Sequence, residues 1–229
     1  MLAQRLFLRC LSALLLGHLP LALADEAPSP FAKWEKEVAA IEVRDSLPAS
    51  KGAIVFVGSS SIKKWTTLAE DFPRHRVLNH GFGGSQLRDA AHFADRLVTA
   101  FEPRFIVVYS GGNDLNAKRT ADQVFASFKD FVAAVRAKQP QTPIAYISIA
   151  GNPKRWSQVD EVRKANALIQ SFTKEQPNLQ FIDVFPAMLG SDGLPLPDIF
   201  VADRLHMNPE GYKIWTGIVG RHLPAPDLQ

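Results

Sequence analysis

Two distant stretches of this 229-residue chain carry the parts of nucleophilic acyl transfer. Near the front, an apolar run ends in Val57-Gly58-Ser59-Ser60-Ser61, which offers a hydroxyl on a sharp turn. Near the end, Asp203-Arg204-Leu205-His206 offers an imidazole with a carboxylate three residues before it. The chemistry needs an oxygen nucleophile, a base to take its proton and an acid to orient that base. A D-x-x-H spacing lets one loop carry both base and orienting acid, with one ring nitrogen facing Asp203 and the other free for a hydroxyl. Asn208-Pro209, just downstream, suits a turn into a helix that would hold this loop. The reaction also needs donors fixed in advance for the negative oxygen of the tetrahedral intermediate. Gly84 offers a backbone N–H where glycine permits close approach, and Asn113 offers a side-chain amide. The serine turn adds its own N–H if it opens a helix, together with the partial positive charge of a helix start.

These pieces are useful only if the fold gathers them. Uninterrupted apolar runs at 53–57 (AIVFV), 105–109 (FIVVY) and 144–149 (IAYISI) read as strands covered on both faces. Weaker strands are expected at 76–78 and 181–184. Helices are expected over 31–44, where Phe31, Trp34, Val38 and Ile41 keep helical spacing, and over 85–101, 120–138, 159–175 and 209–223. Thr120 and Gln123 have the spacing of a capping box. Strands alternating with helices imply right-handed crossovers and a parallel sheet, hence an α/β sandwich. In such a sheet the site forms beyond the carboxyl ends of the strands. The loops at 58–61, 80–85 and 110–114 then emerge on one rim, and the D-x-x-H loop can be delivered to it.

In these four segments the chain resembles the SGNH (GDSL-type) hydrolase family, named for a serine, a glycine, an asparagine and a histidine in four blocks. The blocks here read VFVGSSSI, NHGFGGSQ, GGND and DRLH, in the family's order and across nearly the whole chain after its first residues. The resemblance implies a flavodoxin-like three-layer α/β/α sandwich with a parallel central sheet. By position it makes Ser60 the nucleophile, Gly84 and Asn113 oxyanion donors beside the Ser60 amide, and Asp203 and His206 the rest of a triad. It implies hydrolysis of carboxylic esters without cofactor or metal. One departure stands out: the usual G-D-S is G-S-S, with Ser59 in place of an aspartate. If the register slips, Ser59 or Ser61 becomes the nucleophile instead.

Each feature has a plainer reading. Three serines after a strand make a helix cap and turn, glycines make turns, Asn113-Asp114 makes an Asx-turn, and Asp203 with His206 makes a surface pair. None of these explains four such features converging on one rim. Trp65 is expected in the core. Arg155 and Trp156 fall in the loop after the fourth strand, where a role in gating or acyl selection is open. His80 is expected to be a hydrogen-bonded structural residue. The G-x-S-x-G elbow, P-loop, G-x-G-x-x-G and H-E-x-x-H patterns are absent from the sequence.

Residues 1–24 read as an export signal. Arg5 and Arg9 precede an apolar run, and Ala22-Leu23-Ala24 is a small-x-small cleavage pattern. Arg9 before Cys10 argues against a lipoprotein, and retention as an uncleaved anchor is the alternative. Removing the signal takes two of 26 basic residues and no acids, which leaves 24 against 23 and a charge of about +1. No basic stripe remains to suggest nucleic acid. Cys10 is the only cysteine, so residues 25–229, expected to be a single domain, need no disulfide. The expectation is an exported esterase, periplasmic or secreted, acting on a small-molecule, glycan or lipid ester with no stable membrane insertion. Short acyl chains are favoured. Lysophospholipase, thioesterase and carbohydrate acetylesterase activities are the alternatives on the same site, with a non-catalytic carbohydrate-binding domain as the rival class.

Overall fold

A computed structural model describes residues 29–46 and 48–226; the expected signal, 1–24, lies outside them. A 3-10 turn, Ala32–Trp34, leads into α1 (Glu35–Arg44). Next come β1 (Ile54–Gly58), two single-turn helices, α2 (Ser60–Lys63) and α3 (Leu68–Asp71), and β2 (Val77–Gly81). Helices α4 (Leu87–His92) and α5 (Ala94–Leu97) run through a 3-10 turn, Thr99–Phe101, toward β3 (Phe105–Tyr109). Short α6 (Gly112–Asn116) and α7 (Ala121–Arg136) precede β4 (Ile144–Ile147). A 3-10 stretch, Pro153–Gln158, opens onto α8 (Val159–Glu175), followed by β5 (Leu179–Ile182) and, after two further 3-10 turns, α9 (Pro209–Val219).

Among the described residues the five strands form one parallel sheet in the order β2-β1-β3-β4-β5. Its register positions the site. Gly58 pairs with Gly81 on one side and Tyr109 on the other, so β1, β2 and β3 end level and their loops leave from one edge. Successive strand residues face opposite sides. Val55, Val57, Ile106, Val108 and Tyr146 pack with Val38, Leu87 and Phe128 in one apolar layer. Ile54, Phe56, Phe105, Val107 and Tyr109 pack with Trp65 and Trp215 in the other. Two buried faces explain why the strand sequences are apolar without alternation. The result is the expected three-layer α/β/α sandwich.

The sequence signals for helix starts are used as read. Thr120 Oγ1 accepts from the Gln123 amide and Gln123 Oε1 from the Thr120 amide, closing the capping box on α7. Asn208 caps α9 by accepting from the Gly211 amide, with Pro209 in the first turn. Trp65 is fully buried against Phe56, Phe72, Tyr212 and Trp215, a core residue as expected.

Elsewhere the structure departs from periodicity. The helix expected over 85–101 is broken at Phe93 and Val98, both buried. Leu87, Ala90, Phe93, Ala94, Leu97, Val98 and Phe101 still all pack in the core, on the face their helical spacing gives them. Strand β2 runs past its expected end at 78, through Asn79 and His80 to Gly81. Those polar residues hide the strand in sequence yet are satisfied inside it. Asn79 donates to the Ile62 and Trp65 carbonyls, and the fully buried His80 ring meets Asp45 Oδ2 and the Leu97 carbonyl. Strand β5 starts and stops two residues earlier than expected, just after Asn178 takes a positive φ of 57°. The closing helix stops at Val219, short of 223.

Candidate active site

The serine turn is shaped by Gly58. Its φ is 147°, and a Cβ there would lie 1.9 Å from the Tyr109 carbonyl oxygen, so β1 and β3 can meet at this point only with glycine. The Ser59 amide donates to that same carbonyl, and the Ser59 carbonyl accepts from Ile62 and Lys63, which makes Ser60 the first residue of α2. Ser59, in the place of the family's aspartate, is buried, and its hydroxyl caps no amide. With only four residues, α2 supplies little macrodipole. The helix-end charge expected from the sequence therefore shrinks to the local N–H groups. The Tyr212 hydroxyl donates to the Ser61 carbonyl at 2.8 Å and holds the turn from α9.

The D-x-x-H loop reaches this turn across 146 residues of chain. His206 Nε2 lies 2.9 Å from Ser60 Oγ, and His206 Nδ1 lies 2.6 Å from Asp203 Oδ2. A carboxylate only accepts, so Nδ1 carries the proton and Nε2 is the acceptor facing the Ser60 hydroxyl. Among the described residues no such bond involves the Ser59 or Ser61 hydroxyl. Asp203 Oδ1 accepts from the Leu205 and His206 amides, each at 2.9 Å, and Arg204 between them takes a φ of 57°. The His206 amide and ring, in that order, hold the Asp203 carboxyl well below the usual carboxylate range, although its side chain is 42% exposed.

On the other side, Gly84 takes a φ of 82°, a conformation that favours glycine. Neighbouring Gly83 donates its amide to Glu37 Oε1 at 3.0 Å, and Lys63 pairs with the same oxygen, so α1 holds this loop. Asn113 Nδ2 donates to the Ser85 carbonyl at 2.9 Å, which leaves its second hydrogen for another acceptor. Asn113 Oδ1 accepts from Arg155 Nη1 at 3.0 Å. Behind it, fully buried Asp114 accepts from the Leu87 amide and ties the third loop to α4. Its other oxygen is 3.5 Å from Arg119 Nε, too far for a good hydrogen bond. Burial pushes the Asp114 carboxyl up to about 6, against the pull of the Leu87 amide and Arg119.

A cavity of about 30 Å³ joins the two sides, lined by Ser60, Tyr109, Asn113, Arg155, Leu205 and His206 among others. Of the five expected site residues, the structure thus links Ser60, His206 and Asp203 by hydrogen bonds and brings Asn113 to the same cavity wall. Gly84 stands beside Ser85, which holds Asn113, rather than on the wall itself. Larger cavities, of 520 and 560 Å³, lie beside α1 and contain none of the five. Size does not mark the site here, since neither offers a hydroxyl bonded to an imidazole. Arg155 was left open by the sequence, and Glu37 carried no sequence signal. Trp156 does not join the cavity; it stacks on Phe185. Among the described residues no cluster of three His, Cys, Asp or Glu is placed to hold a metal ion.

A hydroxyl–imidazole–carboxylate chain at the rim of a parallel three-layer sandwich has the parts that acyl transfer by an oxygen nucleophile needs. Residues 45–214 match the GDSL-like Lipase/Acylhydrolase family, and the chain belongs to it. The platelet-activating factor acetylhydrolase IB subunit alpha1 of Homo sapiens is 28% identical over 69% of this chain and 70% of its own. A GDSL-like lipase from Bacteroides thetaiotaomicron superposes with a TM-score of 0.66 at 19% identity, over 84% of this chain and 96% of that one. A carbohydrate esterase family 3 structure from Talaromyces cellulolyticus gives 0.58 at 21% identity, over 74% and 94%. The two superpositions speak for the fold.

Proposed function

We propose that this chain is an exported serine esterase for short acyl groups, with Ser60 as nucleophile, His206 as base and Asp203 as its orienting acid. The observation that carries the reading is the pair of bonds that runs from Asp203 through His206 to Ser60, at 2.6 and 2.9 Å. Ser60 Oγ attacks the ester carbonyl carbon as Nε2 takes its proton. The new oxyanion accepts from the Ser60 amide and from the second Asn113 hydrogen; the Gly84 amide, off the cavity wall, is the third donor that the family resemblance implies. When the intermediate collapses, the imidazolium gives its proton to the leaving alkoxide. Water, deprotonated by His206, then attacks the acyl-enzyme, and the acid departs as Ser60 regains its proton.

The cavity beside Ser60 is small, about 30 Å³, which favours a short acyl group over a long chain. The name of the mammalian relative, an acetylhydrolase, favours the same reading. Export rests on the signal at 1–24, followed by one domain from 25 onward. No helix among the described residues is long and apolar enough to cross a membrane.

The test uses the purified chain with a fluorophosphonate probe and aryl esters of graded chain length. Ser60 is expected to be labelled, acetate esters to turn over fastest, and Ser60→Ala to lower turnover on the order of 10⁶-fold while remaining folded. A folded Ser60→Ala with normal turnover would sink the assignment.

A further inference from the structure

Arg155 belongs to no block of the family motif, yet it is built into the site. It lies in the 3-10 stretch Pro153–Gln158, where its own backbone leaves helical geometry, with φ −121° and ψ 25°. Asn152 fixes that bend by accepting from the Arg155 amide on its side chain at 3.0 Å. The side chain reaches across to α6, where Nη1 donates to the Gly112 carbonyl at 3.1 Å and to Asn113 Oδ1 at 3.0 Å. It lines the same cavity as Ser60 and His206. Among the described residues no carboxylate forms a salt bridge with it. Burial lowers the Arg155 guanidinium from its ordinary value, but arginine remains charged in proteins.

We propose that Arg155 is a positioning residue for the oxyanion hole, acting through Asn113. An asparagine amide can flip its oxygen and nitrogen at little cost, and only one orientation offers an N–H to an oxyanion. Two contacts decide between them. Arg155 can only donate, so it selects the amide oxygen, and the Ser85 carbonyl can only accept, so it selects the nitrogen. The second Nδ2 hydrogen is thereby committed before substrate arrives. Holding a donor in place in advance is the source of its catalytic value. A cation on Oδ1 also polarises the amide and makes its N–H a stronger donor. The bond to Gly112 sets the α6 backbone at the same time. Both bonds leave one nitrogen, so a lysine ammonium that reached the same point would replace them only in part, as a flexible point charge without the rigid guanidinium plane behind it.

This inference rests on the proposed role of Asn113, and the experiment separates the two. Steady-state rates on an aryl acetate are measured for Arg155→Met, Arg155→Lys, Asn113→Ala and the Asn113→Ala double variants, with thermal melting as the control for folding. Arg155→Met should lower kcat about tenfold to a hundredfold, below the 10²–10³ lost with the donor itself, and leave KM within about twofold. Arg155→Lys should recover part of the loss. In the Asn113→Ala background, Arg155→Met should cost less than about twofold, since there is no amide left to orient. An equal loss in both backgrounds, or a raised KM at unchanged kcat, would overturn the positioning role. Should Arg155→Met not fold, Arg155→Lys in the two backgrounds gives the same comparison. An Asn113→Ala variant with normal kcat would instead remove the oxyanion reading beneath it.

Discussion

Asp203 keeps 42% of its side chain exposed, while Asp114, behind the opposite wall of the same cavity, keeps none. The two carboxylates are shifted in opposite directions. Asp203 is held below its ordinary range by the amide and ring of His206 in its own loop, and Asp114 is raised to about 6 by burial. The proposed acid–base arm is thus ordered by bonds that span two or three residues, Leu205 and His206 onto Asp203. The donor wall is ordered by bonds that span 27 to 46 residues: Leu87 to Asp114, Asn113 to Ser85, Arg155 to Asn113, and Gly83 to Glu37. Local hydrogen bonds can align a polar group without removing it from water. The long-range bond to Asp114 comes with burial, and burial penalises charge.

The largest test of this contrast is Asp203→Asn. Its oxygen can still accept from the Leu205 and His206 amides, so the loop should survive. Its NH₂ would face His206 Nδ1 and force the proton onto Nε2, where it opposes the Ser60 hydroxyl. Turnover should fall on the order of 10⁴-fold with melting almost unchanged, as read by steady-state kinetics and calorimetry. A comparable loss of stability would mean that the arm depends on charge rather than on local bonding.

On the donor wall, Asn113→Ala should reduce kcat about 10²–10³-fold. It should also loosen the wall, because the Ser85 carbonyl and Arg155 lose a shared partner, and amide hydrogen exchange around Ser85 should quicken. Exchange in the Asp203 loop should stay as it is.

The smallest effect concerns stability alone. Because the folded Asp114 carboxyl is raised above its unfolded value, its contribution is fully present below about pH 4 and is lost as pH rises through about 6. Asp114→Asn keeps an acceptor for the Leu87 amide and cannot ionise. Its stability relative to the parent chain should rise between pH 4 and 7, by up to about 3 kcal/mol at 1.36 kcal/mol per pKa unit. Denaturant melts across that range would show it, and a flat difference would break the comparison with Asp203.

What the residues alone determined follows the same division. The apolar runs 105–109 and 144–149 declared buried parallel strands, because a strand covered on both faces has no polar side to alternate. The Thr120 box and the Asn208-Pro209 start could be read because caps act within three residues. D-x-x-H could be read for the same reason, since acid, turn and base all lie in one loop. Family blocks singled out Ser60, but its physical distinction from Ser59 and Ser61 came only with His206 packed 2.9 Å away. The tertiary structure also decided that 85–101 breaks at Phe93 and Val98, that polar Asn79 and His80 lie in a strand, and that Glu37 takes the Gly83 amide and Arg155 the Asn113 side chain. Each of these depends on which surfaces meet across the folded chain, and short-range periodicity carries no record of that.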